Sequence, residues 1–489
     1  MKKYTLLFTC LLSLVEITFS QNVGINTQSP AGKLHIKGSA DVSQLIIDAN
    51  SVQSNLSPLL KLRNSMGIDL LWMHSDTALN TFIGIYAGRV NNANGGGVFN
   101  TYTGSHAGFS STTGNSNSGF GANSLFMNAT GSFNSAHGLN ALFSNGSGSW
   151  NTAMGANALF ANTTGTSNTA VGNTALISNI NGSSNTAIGS DAMNHNTSGG
   201  FNTASGFQAL YSNTTGEVNT AYGSAALYFN TTGGGNTAIG YNALLNSLGG
   251  SNTAVGLNAL VTNTTGESNT AVGRSSLGIN STGYLNTAFG VEALYTVTTG
   301  GNNTAIGYDA DVSVGNLNYA IVLGANATVN ASNKVRIGNG SVSVIEGQVA
   351  YSWPSDGRFK ENIEDDVKGL DFILKLQPVS YNFNRLKFAQ HVRENISVER
   401  EEILVAQSQQ RSVGFVAQDV EKIIQETGFS SFDAVHAPTN ETDNYSMGYA
   451  VFVVPLVKAV QEQQQIIEEQ NQKIELLMKE IQLIKEKIK

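Results

Sequence analysis

The sequence predicts a mainly β protein in which a parallel β-solenoid or β-roll rod precedes a small α+β segment and a C-terminal coiled coil. Three observations predict this order: a motif that recurs about every 17 residues through the middle of the chain, a scarcity of charge there, and a heptad pattern at the end. Charged residues form only 12% of the chain, against roughly a quarter in ordinary globular proteins. Most of them follow residue 355, so the middle must stay soluble through Asn, Ser, Thr and Gly.

The repeated motif is Asn-Thr/Ser-Ala-x-Gly, and a looser first copy starts at Asn80. Its further asparagines are Asn100, Asn117, Asn134, Asn151, Asn168, Asn185, Asn202, Asn219, Asn236, Asn252, Asn269, Asn286 and Asn303. A period kept over so many copies indicates a solenoid, here expected over residues 80–345. Identical asparagines one coil apart can form amide ladders along it. The alternative, a disordered low-complexity tract, does not keep Ala and Leu in register.

One unit, NTAVGLNALVTNTTGES at residues 252–268, shows what each coil contains. A short strand ends at a glycine, a second apolar segment follows, and Asn-Thr-Thr-Gly forms a turn. The apolar groups are Ala254, Val255, Ala259 and Leu260, which are too few to bury a core alone. Neighbouring units must therefore stack.

The N-terminus predicts a signal peptide over residues 1–20, with Gln21 as the first mature residue. Lys2 and Lys3 precede an apolar core over residues 5–15, which is well short of the roughly 20 residues that a membrane anchor requires. Cys10, the only cysteine of the sequence, would leave with the signal. We therefore expect a protein that is secreted or displayed at the cell surface.

The rod and the segment before it resemble parts of known fibrous proteins. The Asn-Thr-Ala-x-Gly ladder resembles the head repeats of trimeric autotransporter adhesins, which wind as parallel β-rolls in trimers, although the period here is longer. Residues 21–40, QNVGINTQSPAGKLHIKGSA, look like a module found at the start of bacterial surface and phage tail-fibre-like proteins. We expect an N-terminal fibre module over residues 21–79 that contains a strand pair.

From Val453 onward the pattern becomes heptad. One seam position holds Val453, Val460, Ile467, Ile474, Ile481 and Ile488, and the second holds Leu456, Gln463, Gln470, Leu477 and Ile484. This pattern predicts a coiled coil over residues 456–489. Isoleucine at both seam positions favours trimers or tetramers over dimers, Leu477 weakens this preference, and Gln463 and Gln470 add buried polar layers that can fix the register. The expected partner is the chain itself, as a homotrimer. A helix packed on its own domain is the alternative.

Three blocks between rod and coil carry a further resemblance. They are SDGRFKENIEDDVKGLDFILKLQPVSYNFN from residue 355, RSVGFVAQDVEKIIQETG from residue 411 and NYSMGYAVFVVPLVKAVQEQQ from residue 444. In order and content they resemble the endosialidase-type intramolecular chaperone family, the self-cleaving C-terminal domains of phage tailspikes and related fibres. The resemblance covers about residues 353–475 and implies a chaperone and autoprotease domain over residues 355–455.

The resemblance also implies a catalytic site. Ser355 is then the nucleophile, Lys360 is the base, and the scissile bond joins Pro354 to Ser355. The remaining motif residues are Asp356, Arg358 and Asn362. By itself Ser-Asp-Gly is an ordinary turn, so the catalytic interpretation depends on the three blocks together.

The implied chemistry is reasonable for these residue types. A serine hydroxyl is a poor nucleophile until a base takes its proton, and lysine is such a base only when burial or nearby cations lower its pKa from about 10.4. Arg358 is either that cation or the partner of a carboxylate such as Asp356. A serine that follows the scissile carbonyl can attack it in an N-to-O acyl shift before hydrolysis. Direct activation of water is the other route.

Two functions follow as hypotheses. The first is a secreted trimeric fibre or adhesin-like protein whose chaperone domain drives assembly and then releases itself by a single-turnover serine peptidase reaction. The second is a non-enzymatic surface adhesin with a permanent trimeric coiled-coil end. For either rod, surface glycans or host and cell-surface ligands are candidate partners, and no membrane span and no cofactor are expected.

Other functions find little support. The net charge of −8, without a basic block, argues against nucleic-acid binding. A glycan-degrading enzyme needs paired acids, but the acids of the rod are scattered: Asp191, Glu217, Glu267 and Glu292. The histidines show no metal-ligand spacing, so no metal site is expected: His74, His106, His137 and His195.

Overall fold

The computed structural model describes residues 23–25, 34–36, 45–48, 54–348, 352 and 354–488, so the predicted signal peptide lies outside the described residues. The predicted fold class is confirmed, since a parallel β-solenoid precedes a small α+β region and a terminal helix. The strands are β1 Val23–Ile25, β2 Leu34–Ile36, β3 Leu60–Arg63, β4 Asp69–His74, β5 Thr81–Ile83, β6 Thr101–Thr103, β7 Ser118–Phe120, β8 Ser135–His137, β9 Thr152–Met154, β10 Thr169–Val171, β11 Thr186–Ile188, β12 Thr203–Ser205, β13 Thr220–Tyr222, β14 Thr237–Ile239, β15 Thr253–Val255, β16 Thr270–Val272, β17 Thr287–Phe289, β18 Thr304–Ile306, β19 Asp311–Val312, β20 Ile321–Leu323, β21 Thr328–Val329, β22 Val335–Ile337, β23 Val379–Asn382, β24 Arg411–Gly414, β25 Val435–His436 and β26 Ser446–Met447.

A single ladder of strand pairs runs along the rod. Strands β5 to β18, then β20 and β22, pair in parallel with their neighbours, so that Ala254 lies opposite Ala271 in the next coil. Before β5 the ladder continues as an antiparallel hairpin of β3 and β4. This hairpin covers the edge that the first coil would otherwise expose. Strands β1 and β2 form a separate parallel pair, in agreement with the strand pair expected there.

The core of each coil is small and repeats along the rod. Ala254, Ala259 and Leu260 are fully buried, and their equivalents in the other coils join them in one apolar cluster. Val255 lies on the outer face of β15, so its grouping with the core residues in the sequence analysis was wrong. Successive side chains of a strand point to opposite faces, and Ala254 occupies the inner one.

Buried asparagines join successive coils. Nδ2 and the backbone N–H of Asn269 donate to Oδ1 of Asn252 at 3.1 and 3.0 Å, respectively. Nδ2 of Asn252 donates to the carbonyl oxygen of Gly266 at 2.9 Å and so closes its own coil. The predicted amide ladder is thus confirmed. A second ladder, which was not predicted, includes a bond of 2.8 Å from Nδ2 of Asn280 to Oδ1 of Asn263.

The glycine of the motif is required by the stacking. Gly256 has a φ of +139°, and a Cβ atom there would lie 2.6 Å from the carbonyl oxygen of Gly273 in the next coil. Only glycine adopts this conformation freely and allows so close an approach of two backbones. The spacing between coils therefore depends on this position.

The C-terminal region has a core of its own. Its helices are α1 Leu370–Lys375, α2 Arg385–His391, α3 Val398–Gln407, α4 Ala417–Thr427 and α5 Val453–Ile488. Phe372, Val420, Phe429, Phe432 and Phe452 pack together as its buried centre. As predicted, β24 leads into α4, which ends at a glycine in the left-handed region.

Helix α5 is 36 residues long and extends beyond this core. Its first turns pack on α1, where the carboxylate of Glu462 accepts a hydrogen bond of 2.7 Å from the backbone N–H of Leu370. From Gln463 onward its described side chains are almost all exposed. The helix is thus confirmed, and the coiled coil predicted from its heptads stays a prediction. No helix in the described part of the chain is long and apolar enough to cross a bilayer.

Candidate functional site

The predicted nucleophile and base lie next to each other in a tight turn. Nζ of Lys360 donates a hydrogen bond of 2.9 Å to Oγ of Ser355. The turn between them is a 3-10 helix over Gly357–Phe359, whose N-cap Asp356 accepts a hydrogen bond from the backbone N–H of Arg358 at 2.9 Å. Local chain geometry alone therefore brings together two groups that are separated by five residues in the sequence.

Arg358 pairs with Asp356, which is one of the two roles considered for it from the sequence. Nε of Arg358 lies 3.0 Å from Oδ2 of Asp356, and the guanidinium and carboxylate form an ion pair. The guanidinium holds the pKa of Asp356 below its usual value, and the carboxylate raises the pKa of Arg358. The pair lies within the turn that carries the serine and the lysine.

Asn362 follows the turn with a φ of +52°. This left-handed conformation is uncommon outside glycine, but asparagine adopts it more readily than most residues. The position therefore bends the backbone two residues after Lys360. This conformational requirement is a physical reason for an asparagine at the last position of the motif.

The turn is open to solvent in the single chain. Ser355 and Lys360 are exposed, and the neighbouring apolar side chains Phe359 and Ile363 are 81% and 78% exposed. Two large apolar side chains therefore flank the candidate catalytic pair on the surface of the single chain.

The chain that follows the turn is fastened to α5. Nζ of Lys458 lies 3.0 Å from Oδ1 of Asp365, and Glu462 binds the N-terminus of α1. The turn is thus separated by only a few residues from a segment held by the helix that carries the heptad seam.

The carbonyl carbon of Pro354 is part of the peptide bond that precedes Ser355, so the hydroxyl needs no bound substrate to reach an acyl group. Both chemical routes considered from the sequence, the acyl shift and direct activation of water, are open to this geometry. Pro354 is exposed, whereas Tyr351 and Trp353 lie outside the described residues.

Metal chemistry finds no support in the described ranges, which hold no group of three or more His, Cys, Asp or Glu residues placed to bind an ion. Two buried ion pairs join the end of the rod to the C-terminal region, and they were not predicted from the sequence. Their members are more than 50 residues apart in sequence, so no local pattern marks them.

Comparison with known proteins supports the resemblance stated above. Residues 355–429 match the family model described as chaperone of endosialidase. The match begins at Ser355 and confirms that this part of the chain is similar to the self-cleaving chaperone domains. No curated protein matches the chain.

Proposed function

We propose that the protein is an exported trimeric fibre whose C-terminal domain drives assembly and then cuts the chain between Pro354 and Ser355. The observation that carries this proposal is the contact of 2.9 Å between Ser355 Oγ and Lys360 Nζ at the first residue of the matched segment. Export rests on the predicted signal peptide.

The reaction proceeds from groups within one turn. Lys360, as the free amine, takes the proton of the Ser355 hydroxyl, and Oγ attacks the carbonyl carbon of Pro354. In the acyl-shift route the C–N bond breaks, Ser355 gains a free amine, and Pro354 is held as an ester. Water then hydrolyses the ester. In the other route the same pair activates water directly, and both routes end with a carboxylate on Pro354 and an amine on Ser355.

Trimer formation is supported by the surfaces that the single chain leaves uncovered. The seam residues Val460, Ile467, Ile474 and Ile481 are all at least 42% exposed along α5. A continuous apolar stripe of this kind on a long helix is stabilised by burial against other helices. The family match supports the same assembly, since the related domains belong to trimeric fibres.

Cleavage is proposed to follow assembly. Phe359 and Ile363 flank the exposed pair, and association through α5 gathers one turn from each chain. Covering these side chains excludes bulk water from the pair and fixes its geometry, which favours attack by the hydroxyl. The pair therefore becomes active once the chains have joined, so that unassembled chains keep their assembly domain.

A rod of this kind benefits from such a domain. A fibre that is held together by contacts between chains is slow to nucleate, and its chains can pair in the wrong register. A C-terminal domain that associates first raises the local concentration of the other chain ends. Once the rod has formed, removal of the template leaves it protected by its barrier to unfolding.

The cut is tested by expressing the full chain with Ser355→Ala, Lys360→Gln and, as a matched control, Ser352→Ala. Ser352 is an exposed serine three residues before the nucleophile. Its replacement shows whether loss of any serine near the cut, rather than loss of Ser355, prevents cleavage. We expect two fragments from the unsubstituted chain and the control, and one uncut band from the two site variants. An intact unsubstituted chain after complete folding would contradict the proposal and favour the permanent adhesin. Cleavage that persists in Ser355→Ala would contradict the assigned nucleophile.

A further inference from the structure

The C-terminal domain is seated on the end of the rod through a set of direct contacts. Nδ2 of Asn330 donates to the carbonyl oxygen of Thr442 at 2.6 Å, and Nδ2 of Asn440 donates to the carbonyl oxygen of Asn330 at 2.9 Å. The hydroxyls of Ser313 and Thr442 are 3.0 Å apart. The loop over residues 439–444 thus occupies hydrogen-bonding groups that the last coils would otherwise expose.

Two ion pairs cross the same junction. Nζ of Lys334 lies 2.8 Å from Oδ1 of Asp443, and Nη2 of Arg336 lies 2.9 Å from Oε1 of Glu394. Both carboxylate side chains are 0% exposed. Each cation belongs to the rod, on or beside β22, and each anion belongs to the C-terminal domain.

The anions are organised by their own domain. Nη2 of Arg400 donates to Oε2 of Glu394 at 2.6 Å, and the backbone N–H of Thr439 donates to Oδ2 of Asp443 at 2.9 Å. Burial acts against ionisation of Asp443, but the hydrogen bond from Lys334 and its other donors hold the pKa of Asp443 well below its usual value. The domain therefore presents two preformed carboxylates, and Lys334 and Arg336 are their counterparts on the rod.

We infer that this junction is a docking surface that binds the C-terminal domain to the rod without the peptide bond, so that cutting and release are separate events. The inference deepens the proposed function and rests on it for its biological meaning. The proposed cut lies in an exposed stretch, and the junction bonds named above join residues of the rod up to Arg336 to residues from Glu394 onward. A chain cut at Ser355 keeps all of them. The domain then remains as a cap on an otherwise open solenoid end.

The test separates docking from self-cleavage. In a Ser355→Ala chain, a recognition sequence for an added protease is inserted after Val344, which is 64% exposed. The assembled protein is cut by that protease, and an affinity tag on the rod is used to measure how much C-terminal domain stays bound at about 0.1 M salt. Failure of the native cut leaves this measurement unaffected.

Lys334→Gln with Arg336→Gln removes only the rod side of both pairs, so the domain keeps its internal partners. Loss of one partner of a buried charge pair is costly, so we expect the dissociation constant to rise at least about 30-fold. The matched control is Lys61→Gln with Arg63→Gln, a rod pair of the same types and spacing whose cations bind Asp69 at the other end. Its retained fraction should equal that of the unsubstituted rod.

Two results would overturn the inference. One is immediate loss of the domain from the unsubstituted rod after the added protease has cut. The other is full retention in the Lys334 and Arg336 variant. If that variant does not assemble, Arg336→Gln alone is cut and measured in the same way, and an unchanged dissociation constant would again contradict the inference.

Discussion

The rod and the C-terminal region solve the problem of burial in different ways. Each coil of the rod has the same small core, in which Ala254, Ala259 and Leu260 or their equivalents are buried within the chain. Asparagines form hydrogen bonds between successive coils. The C-terminal region has a compact aromatic core but leaves the seam of α5 and the side chains of Phe359 and Ile363 exposed. The core of the rod is buried within one chain, whereas the exposed seam of α5 is a surface that we propose other copies of the chain cover.

This difference assigns distinct roles to the two regions. The regular stacking determines how each coil of the rod packs on the next coil. It does not determine how many chains associate. We expect the seam of α5 to set this number through its residue types. The four predictions below test the contrast, from the largest expected effect to the smallest.

The largest effect is expected on α5. Ile474→Asp with Ile481→Asp places carboxylates in the seam, where association would bury them without partners, so the trimer should be lost. Leu476→Asp with Leu483→Asp is the matched control, because these residues have the same spacing and a similar exposure on another face. Sedimentation of the full chain should give a trimer for the control only, and equal behaviour of the two variants would show that the seam is wrongly assigned.

A change within the rod should be severe but local. Gly256→Ala puts a Cβ 2.6 Å from the oxygen of Gly273 at a φ of +139°, so the stacked coils must separate. Strain of this kind costs about 3 kcal/mol or more. Gly146→Ala is the control, since its Cβ meets only the oxygen of Thr163, at 3.4 Å. Thermal unfolding should show a lower Tm for Gly256→Ala, while a Tm equal to that of the control would mean that the coils are not packed as described.

The asparagine ladder should respond to loss of its donor. Asn252→Asp keeps an acceptor for Asn269 but removes the N–H groups that bind the carbonyl of Gly266. The carbonyl of Gly266 then lacks its donor and faces a buried negative charge, so the free energy of unfolding should fall by roughly 2–4 kcal/mol. Asn258→Asp, in the same coil, is half-buried and accepts from Nδ2 of Asn242, so it should change little. Chemical denaturation of both variants decides whether the ladder stabilises the rod.

The smallest effect concerns pH. Burial raises the pKa of Asp311, near the junction, from 3.8 to about 7. The folded state therefore binds more protons than the unfolded state between these values, and stability falls as the pH rises from about 4 to about 7. Asp311→Asn should raise Tm at pH 8 and change it less at pH 4. Glu217→Gln, an exposed acid of the rod, is the control, and an equal change of Tm at both pH values would contradict the assignment to Asp311.

Much of the rod could be predicted from the sequence because the same residues make the same contacts in every coil. The recurrence of Asn252 and Asn269 predicted both the coil length and the amide ladder, and the structure confirms them. The ladder through Asn263 was missed because its motif varies more between coils, with a serine at Ser247, for example. Val255 was misplaced because the composition of a coil does not show which face of the strand each residue occupies.

The C-terminal region was predictable in a different way. Ser355 and Lys360 came from a resemblance to a family, and the structure adds their contact and the pairing of Arg358 with Asp356. The bond between Lys334 and Asp443 joins residues 109 apart and has no local signal in the sequence. Contacts of this kind depend on the tertiary fold, so only the structure shows them.

The central claim is that assembly through the C-terminal domain ends in a cut before Ser355. Its most direct test is mass spectrometry of the purified, folded chain under native and denaturing conditions. We expect a complex that contains three copies and, after denaturation, a C-terminal fragment whose first residue is Ser355. A single intact polypeptide in a trimer, or a fragment that begins at another residue, would contradict it.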